Sequence, residues 1–395
     1  MRLYVIERRC RHRGAVVNSR LRTLVDSLAQ EQKIPGSSTR KGCLYHDLPL
    51  PETGLASHRR YSIERLIKLK RQLPIYGSRI LDLGCSCGGL SLGTALLGAT
   101  EVVGWDHDPT AIAIAKVLAE KYRIGNARFF CGAIGTAELP DADVLLWLSQ
   151  WMWLVKQYGL GRAKEMLFEI PKQCGARFMA FESAASDGLA GIPGTTQREI
   201  ESFLRECAPY RRVENIGPFG DAWRKPGQER MVFLCSEPLW QWKGWEAVVT
   251  RTGWDRVTKE VRPRCREHIA IEAECLRRLE PYPWFPKLIK EEKDCITMEW
   301  AGWPVEHAMQ FRDMPKILAA LREKGITHRD ICPENLLWRD GRLFLIDFSW
   351  AMLDGKETSS PLPPRLGRGY YEHGVWDDAR AAARVQESVE KGKSA

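Results

Sequence analysis

Between Ile80 and Asp106 the chain runs through an apolar strand, a turn of small residues, a helix, a second apolar strand and a carboxylate. The first part reads Ile80-Leu-Asp-Leu-Gly-Cys-Ser-Cys-Gly-Gly-Leu90, and the second strand, Glu101 to Trp105, leads straight into Asp106. Apolar strands alternating with helices are the order of a parallel sheet with crossover helices. A further strand is expected from Asp143 to Leu148, and the block ends near the strand-like run Met231 to Cys235. An α/β Rossmann-like domain is the expectation.

The same residues constrain what the domain binds. Small residues let a backbone approach a ligand closely, and a helix amino end offers unpaired N–H groups to its polar part. A carboxylate closing the second strand accepts both hydroxyls of a ribose, and Asp106 follows Gly84 at about the spacing of a nucleotide-binding βαβ unit. The motif resembles the first motif of the class I S-adenosylmethionine-dependent methyltransferases over roughly residues 78 to 235. The resemblance implies that Asp82, Gly84, Ser86 and Gly88 cradle the methionine part, that Asp106 holds the ribose and that Ala133 and Ile134 flank the adenine. Ser86 departs from the family, standing where a second glycine is common. A dinucleotide-binding dehydrogenase uses the same turn and acid, but Asp82 lies inside the strand and Gly-x-Gly-x-x-Gly is absent; a glycine turn serving only close packing is the other alternative. Trp151 and Trp153, after the strand ending at Leu148, stand where they wall an acceptor pocket or belong to the core.

Composition bounds the whole. At 395 residues, with 44% hydrophobic and 28% charged residues, the chain exceeds one core and reads as globular. No run approaches the roughly 20 apolar residues of a spanning helix, and the arginine-rich start lacks a signal's apolar stretch, so a cytoplasmic protein is expected. The 12 cysteines are scattered without a CxxC pair, which fits neither a disulfide framework nor a zinc site. Part of the formal charge of +9 lies in the first 22 residues; a solvated arm explains it, and no nucleic-acid partner is expected. Three parts follow: residues 1–75, a basic, helical lead-in; 76–238, the methyltransferase-like domain; and 239–395, a small α+β domain entered through the proline- and tryptophan-bearing stretch Ser236 to Glu246.

The third part carries the densest set of functional groups. His328-Arg-Asp330-Ile-Cys-Pro-Glu-Asn335 is followed by Asp347-Phe-Ser349. Phosphoryl transfer asks for one carboxylate to orient the attacking hydroxyl, and for an amide oxygen and a second carboxylate to hold magnesium on the phosphates. Asp330, Asn335 and Asp347 supply these in order. From about Trp245 onward the chain resembles the protein-kinase-like superfamily. The resemblance implies ATP and Mg2+, Lys259 as the strand lysine on the phosphates, Glu272 (with Glu274 the alternative) as its helix partner, and Met298-Glu299-Trp300 as the hinge that meets adenine through its backbone. The stretch Val249 to Trp254 offers one glycine where a glycine-rich loop belongs, and Ser349 replaces the glycine of the metal-binding loop.

Methyltransferase then kinase is the domain order of the bifunctional enzymes that terminate bacterial O-antigen polysaccharides, and the chain resembles them from about His46 onward. That likeness implies a glycan acceptor, phosphorylated and then methylated on the new phosphate, and peripheral association with the inner membrane face or with a glycosyltransferase. Arg59, Arg60, Tyr61 and Arg224 are candidates to position the anion. A tailoring enzyme with a small-molecule acceptor and independent sites, or a scaffold with a degenerate kinase, are the alternatives. The family's long C-terminal coiled coil has no counterpart before Ala395.

Overall fold

The computed structural model describes residues 44–46, 57–59, 62–135, 138–182, 196–218, 230–244, 246–356, 371–372 and 375–391. The arginine-rich start, Arg60, Tyr61 and Arg224 lie outside the described residues, as does the side chain of Arg59. The chain divides into two compact units, Met1–Pro238 and Leu239–Ala395.

In the first unit the short pair β1 (Leu44–His46) and β2 (Ser57–Arg59) precedes helix α1 (Ser62–Gln72). Then come β3 (Arg79–Leu83), α2 (Gly89–Leu96), β4 (Glu101–Asp106), α3 (Pro109–Lys121), β5 (Ala127–Cys131), β6 (Val144–Leu148), α4 (Trp151–Gln173), β7 (Phe178–Glu182), α5 (Gln197–Cys207), β8 (Tyr210–Pro218) and β9 (Met231–Pro238). The main sheet has seven strands in the order β5-β4-β3-β6-β7-β9-β8. Strands β3 to β7 are parallel, as the runs at β3, β4 and β6 predict, whereas the run Met231 to Cys235, expected to close the parallel block, lies in β9, which joins antiparallel with β8. All five residues of β6 are buried, as a strand covered on both faces requires. Strand order reverses between β3 and β6, which opens a crevice at their carboxyl ends. Helix α1, at the end of the expected lead-in, belongs to this body: Leu69 and Leu73 sit in the core beside Ile80 and Leu92.

The second unit begins with β10 (Gln241–Lys243), β11 (Ala247–Arg251), β12 (Arg256–Val261), helix α6 (Arg266–Leu279), β13 (Leu288–Glu291) and β14 (Cys295–Glu299). These strands form a five-stranded antiparallel sheet, β10-β11-β12-β14-β13. Helix α6 buries Ile269, Ala273, Leu276 and Leu279, a stripe at helical spacing, against the same core as Val257 and Ile296. After the short β15 (Trp303–Pro304) come α7 (Met314–Glu323), β16 (Ile326–Thr327), the hairpin β17 (Leu336–Arg339) and β18 (Arg342–Leu345), β19 (Met352–Leu353) and α8 (Asp378–Glu390). Among the described residues, no helix is long and apolar enough to cross a membrane.

Candidate active sites

The turn after β3 is stapled to the end of β4. The N–H groups of Gly84 and Cys85 both donate to the Trp105 carbonyl, at 2.7 and 3.2 Å, and Gly88 N–H donates to the Cys85 carbonyl at 2.9 Å. Gly84 and Gly88 have φ of 74° and 77°, a region glycine enters without cost. A Cβ on Gly84 would lie 1.7 Å from Gln150 Nε2, so Gln150, at the carboxyl end of β6, covers the turn. Ser86, the departure from glycine, also takes a positive φ of 49° and donates its N–H to Asp106 Oδ2 at 2.8 Å.

Asp106 is thus held at the ligand edge: its Oδ1 accepts from Asp108 N–H at 3.0 Å and faces His107 Nδ1 at 3.3 Å. Burial alone would raise its carboxyl, but the bonds from His107, Asp108 and Ser86 outweigh burial and hold it below the usual range. Gly132 N–H donates to the Asp106 carbonyl at 2.9 Å, and this brings the loop of Ala133 and Ile134 alongside. The Ile134 carbonyl accepts from Tyr158 Oη at 3.3 Å. Asp82 has a different setting: 3% exposed, it accepts from Ser91 Oγ at 2.6 Å and braces β3 to α2 beneath the turn. Trp151 packs edge-on against Phe203 and is core, 3% exposed, which removes it from a pocket wall; Trp153 is 41% exposed.

Sequence reasoning missed a buried ion network at the same edge. Glu182, ending β7, accepts from Arg65 of α1 and from Ser149 Oγ, and lies 3.6 Å from Arg230. Two guanidiniums surround one carboxylate, and Arg230 Nε has no partner among the described residues. These contacts join residues far apart in sequence, and no local pattern marks them.

In the second unit the Lys259 ammonium, on β12, reaches Glu272 Oε2 at 2.7 Å, Asp347 Oδ1 at 2.6 Å and Ser349 Oγ at 2.7 Å. Its three N–H donors are all engaged. Glu272 falls on the buried stripe of α6, whereas Glu274 pairs with Arg277 and Arg278 at the surface, so Glu272 is the lysine's partner in the structure. Burial alone would lower the Lys259 ammonium, but Asp347, Glu272 and Glu246 hold it raised. Burial would raise Asp347, and Lys259 brings it below the usual range.

Asn335 donates its side-chain N–H to the Asp330 carbonyl at 2.9 Å and to Asp330 Oδ2 at 3.0 Å. Spending the amide nitrogen on Asp330 keeps Oδ1 for a cation. His328 is buried: its Nδ1 accepts from Asp330 N–H at 3.2 Å, which fixes the proton on Nε2, and Nε2 donates to the Ile346 carbonyl at 3.0 Å. That bond and Ile346 N–H to the Asn335 carbonyl, at 3.0 Å, bring the two loops together. The backbone N–H groups of His328 and Arg329 donate to Asp378 at 2.7 and 3.0 Å, a second contact that sequence reading did not find.

The hinge expectation is corrected in part. Glu299 N–H donates to the Lys287 carbonyl, Trp300 N–H to the Asp255 carbonyl, and the Trp300 carbonyl accepts from Arg339. Neither N–H remains for an adenine, because the strand pairing that continues β14 consumes both. The single-glycine turn is closed on itself, with Thr252 and Gly253 N–H both donating to the Arg256 carbonyl, while Arg251 lies buried over the Trp300 ring at 4.4 Å.

Residues 61–143 match the family model for ribosomal protein L11 methyltransferase (PrmA). A relative of that name from Acetivibrio thermocellus is 36% identical over 70 residues, 18% of this chain and 22% of the relative. A second, from Ectopseudomonas mendocina, is 43% identical over 53 residues, 13% of this chain and 18% of its own. The chain therefore spans about a fifth of the curated relatives it matches. The matched segment holds the turn, Asp82 and Asp106, and with the sheet order it supports a methyltransferase fold for the first unit. Among solved structures, WbdD, described as a bifunctional kinase-methyltransferase, is 20% identical with a TM-score of 0.41, covering 94% of this chain and 95% of its own. A superposition that loose does not bear on chemistry.

Proposed function

We propose that the chain is a bifunctional transferase: the second unit phosphorylates a hydroxyl of a non-protein acceptor, a glycan end or glycolipid sugar, and the first unit methylates the new phosphate. The observation that carries the reading is the assembly of Lys259, Glu272, Asp347, Asp330 and Asn335 in a chain that also holds the Asp106-stapled turn.

Glycine backbone at Gly84 and Gly88, the Asp106 carboxylate and the Ala133–Ile134 loop fit S-adenosylmethionine, which when bound supplies an electrophilic methyl group. Asp106 accepts the ribose hydroxyls through the lone pairs not used by Ser86 and Asp108. Arg65 and Arg230 both stand at Glu182, and Arg230 Nε has no partner among the described residues, which favours an anionic methyl acceptor at this edge. A phosphate monoester is already anionic near neutral pH, so positioning and desolvation matter more than base catalysis.

In the second unit an amide oxygen from Asn335 and a carboxylate from Asp347 are a donor set for Mg2+, which when bound neutralises the phosphates of ATP. Asp330 orients the acceptor hydroxyl. Lys259 exchanges its bond to Asp347 for a phosphate oxygen, with Glu272 keeping the ammonium in place. Adenine recognition falls to the Glu299 carbonyl and to backbone beyond Trp300. The working place is the cytoplasm, with peripheral contact to the inner membrane face or a glycosyltransferase, and no nucleic-acid partner.

Mass spectrometry of short oligosaccharide acceptors incubated with ATP and S-adenosylmethionine, together and singly, tests the order. Methyl transfer is expected only when ATP is present, and Asp330→Ala is expected to stop both additions. Methylation without ATP would rule out the phosphate as acceptor and favour two independent substrates.

A further inference from the structure

Glu246, Cys265 and His268 converge behind Lys259, and their ligand atoms lie within 4.8 Å of one another. Cys265 and His268 are 2% and 4% exposed and stand three residues apart where a short 3-10 turn, Pro263–Cys265, runs into α6. Glu246 comes from the segment ahead of β11, and its Oε2 is 3.0 Å from His268 Nδ1. The corner is closed by backbone bonds: Arg262 N–H donates to the Glu246 carbonyl at 2.9 Å and Cys265 N–H to the Arg262 carbonyl at 2.8 Å. The His268 ring rests on Trp350, with centroids 4.2 Å apart.

The lysine leaves Glu246 without a direct bond. Lys259 is saturated by Glu272, Asp347 and Ser349, and Glu246 Oε1 remains 3.9 Å from its nitrogen. One ammonium thus faces three carboxylates in a largely buried corner, and Glu246 is the one without a direct bond to it. We propose that Glu246, Cys265 and His268 form a binding site for one zinc ion or a similar borderline divalent metal, with water as fourth ligand.

Carboxylate oxygen, thiolate sulfur and imidazole nitrogen are all zinc donors, and with bonds of about 2.0–2.3 Å they sit about 3.3–3.8 Å apart in a tetrahedron. Side-chain shifts of under about 1 Å reach that arrangement. The thiolate and the carboxylate together cancel the metal's charge, and Cys265 releases its proton to solvent on binding. The bound metal joins the start of β11 to the first turn of α6, the helix that carries Glu272. It is structural, and it does not depend on the phosphoryl-transfer reading.

The test uses the full chain purified without chelators. Elemental analysis is expected to find about one zinc per chain, and cobalt replacement is expected to give the near-ultraviolet thiolate-to-cobalt band. Cys265→Ser should abolish that band, Glu246→Gln should retain it with at least tenfold weaker cobalt affinity, and Cys275→Ser, at a buried cysteine inside α6, should leave it intact. A wild-type chain with neither zinc nor a cobalt band overturns the site, as does equal loss of the band in Cys265→Ser and Cys275→Ser.

Discussion

Asp82 and Asp106 stand on neighbouring strands of one site and titrate in opposite directions. Burial pushes Asp82 up to about 6, with the Ser91 hydroxyl opposing and the Asp106 charge adding to it. At Asp106 burial acts the same way, but His107 and two backbone N–H groups win. A carboxyl whose folded pKa is raised binds its proton more tightly in the native state. Its stabilising contribution is complete below the ordinary value of 3.8 and is lost as pH rises to about 6. Asp82→Asn keeps an acceptor for Ser91 and removes this titration. The difference in melting temperature, variant minus wild type, should therefore be larger at pH 7.5 than at pH 4.5 in ligand-free protein; an equal difference at both would show that Asp82 ionises freely in the fold. The sequence identifies both acids through their places in the motif. It does not say which is raised, because the burial of Asp82 and the contacts of His107, Asp108 and Ser86 with Asp106 are set by the folded geometry.

Helix α8 acts on the loop of Asp330 through its first residue. The two oxygens of Asp378 accept from His328 and Arg329, and Arg329 holds a positive φ of 67°, a conformation that needs support from its surroundings. Asp378→Ala leaves two N–H groups without acceptors. A stability loss of about 1–3 kcal/mol in denaturant titration is expected, with phosphoryl transfer down at least tenfold and S-adenosylmethionine affinity unchanged; unaltered turnover would mean that the loop keeps its shape unaided. Elements with strong apolar patterns, β3, β4 and β6, were legible from sequence. Strands β8 and β13 were not, since Arg211 and Arg212 interrupt the one and three of the four residues of Leu288–Glu291 are exposed in the other, as expected of sheet edges. The hinge was not legible for another reason: the pairing that continues β14 takes the N–H groups of Glu299 and Trp300, and residue order does not reveal it.

Across the molecule, two cores support two sets of functional groups, so ligand binding at each should survive loss of the other. Asp106→Ala is expected to weaken S-adenosylmethionine binding by about 1–3 kcal/mol in calorimetry, with ATP-dependent phosphorylation retained. Asp347→Ala should abolish phosphorylation and leave the calorimetric affinity within about a factor of two, a difference of under about 0.5 kcal/mol. Loss of S-adenosylmethionine binding in Asp347→Ala, with an unchanged melting temperature, would reveal coupling between the sites.

The bond from His328 to Asp378 spans 50 residues, and this bears on how the protein is made. On the ribosome the Asp330 loop emerges well before the acid that shapes it, and closing so long a segment is slow relative to local helix formation. A nascent chain that ends short of Asp378 holds every strand of the five-stranded sheet but lacks the acid that accepts from His328 and Arg329. Because Ala381, Ala382 and Val385 of α8 also lie in the core of this unit, a chain cut ahead of Asp378 is expected to lose that packing together with the support of the Asp330 loop.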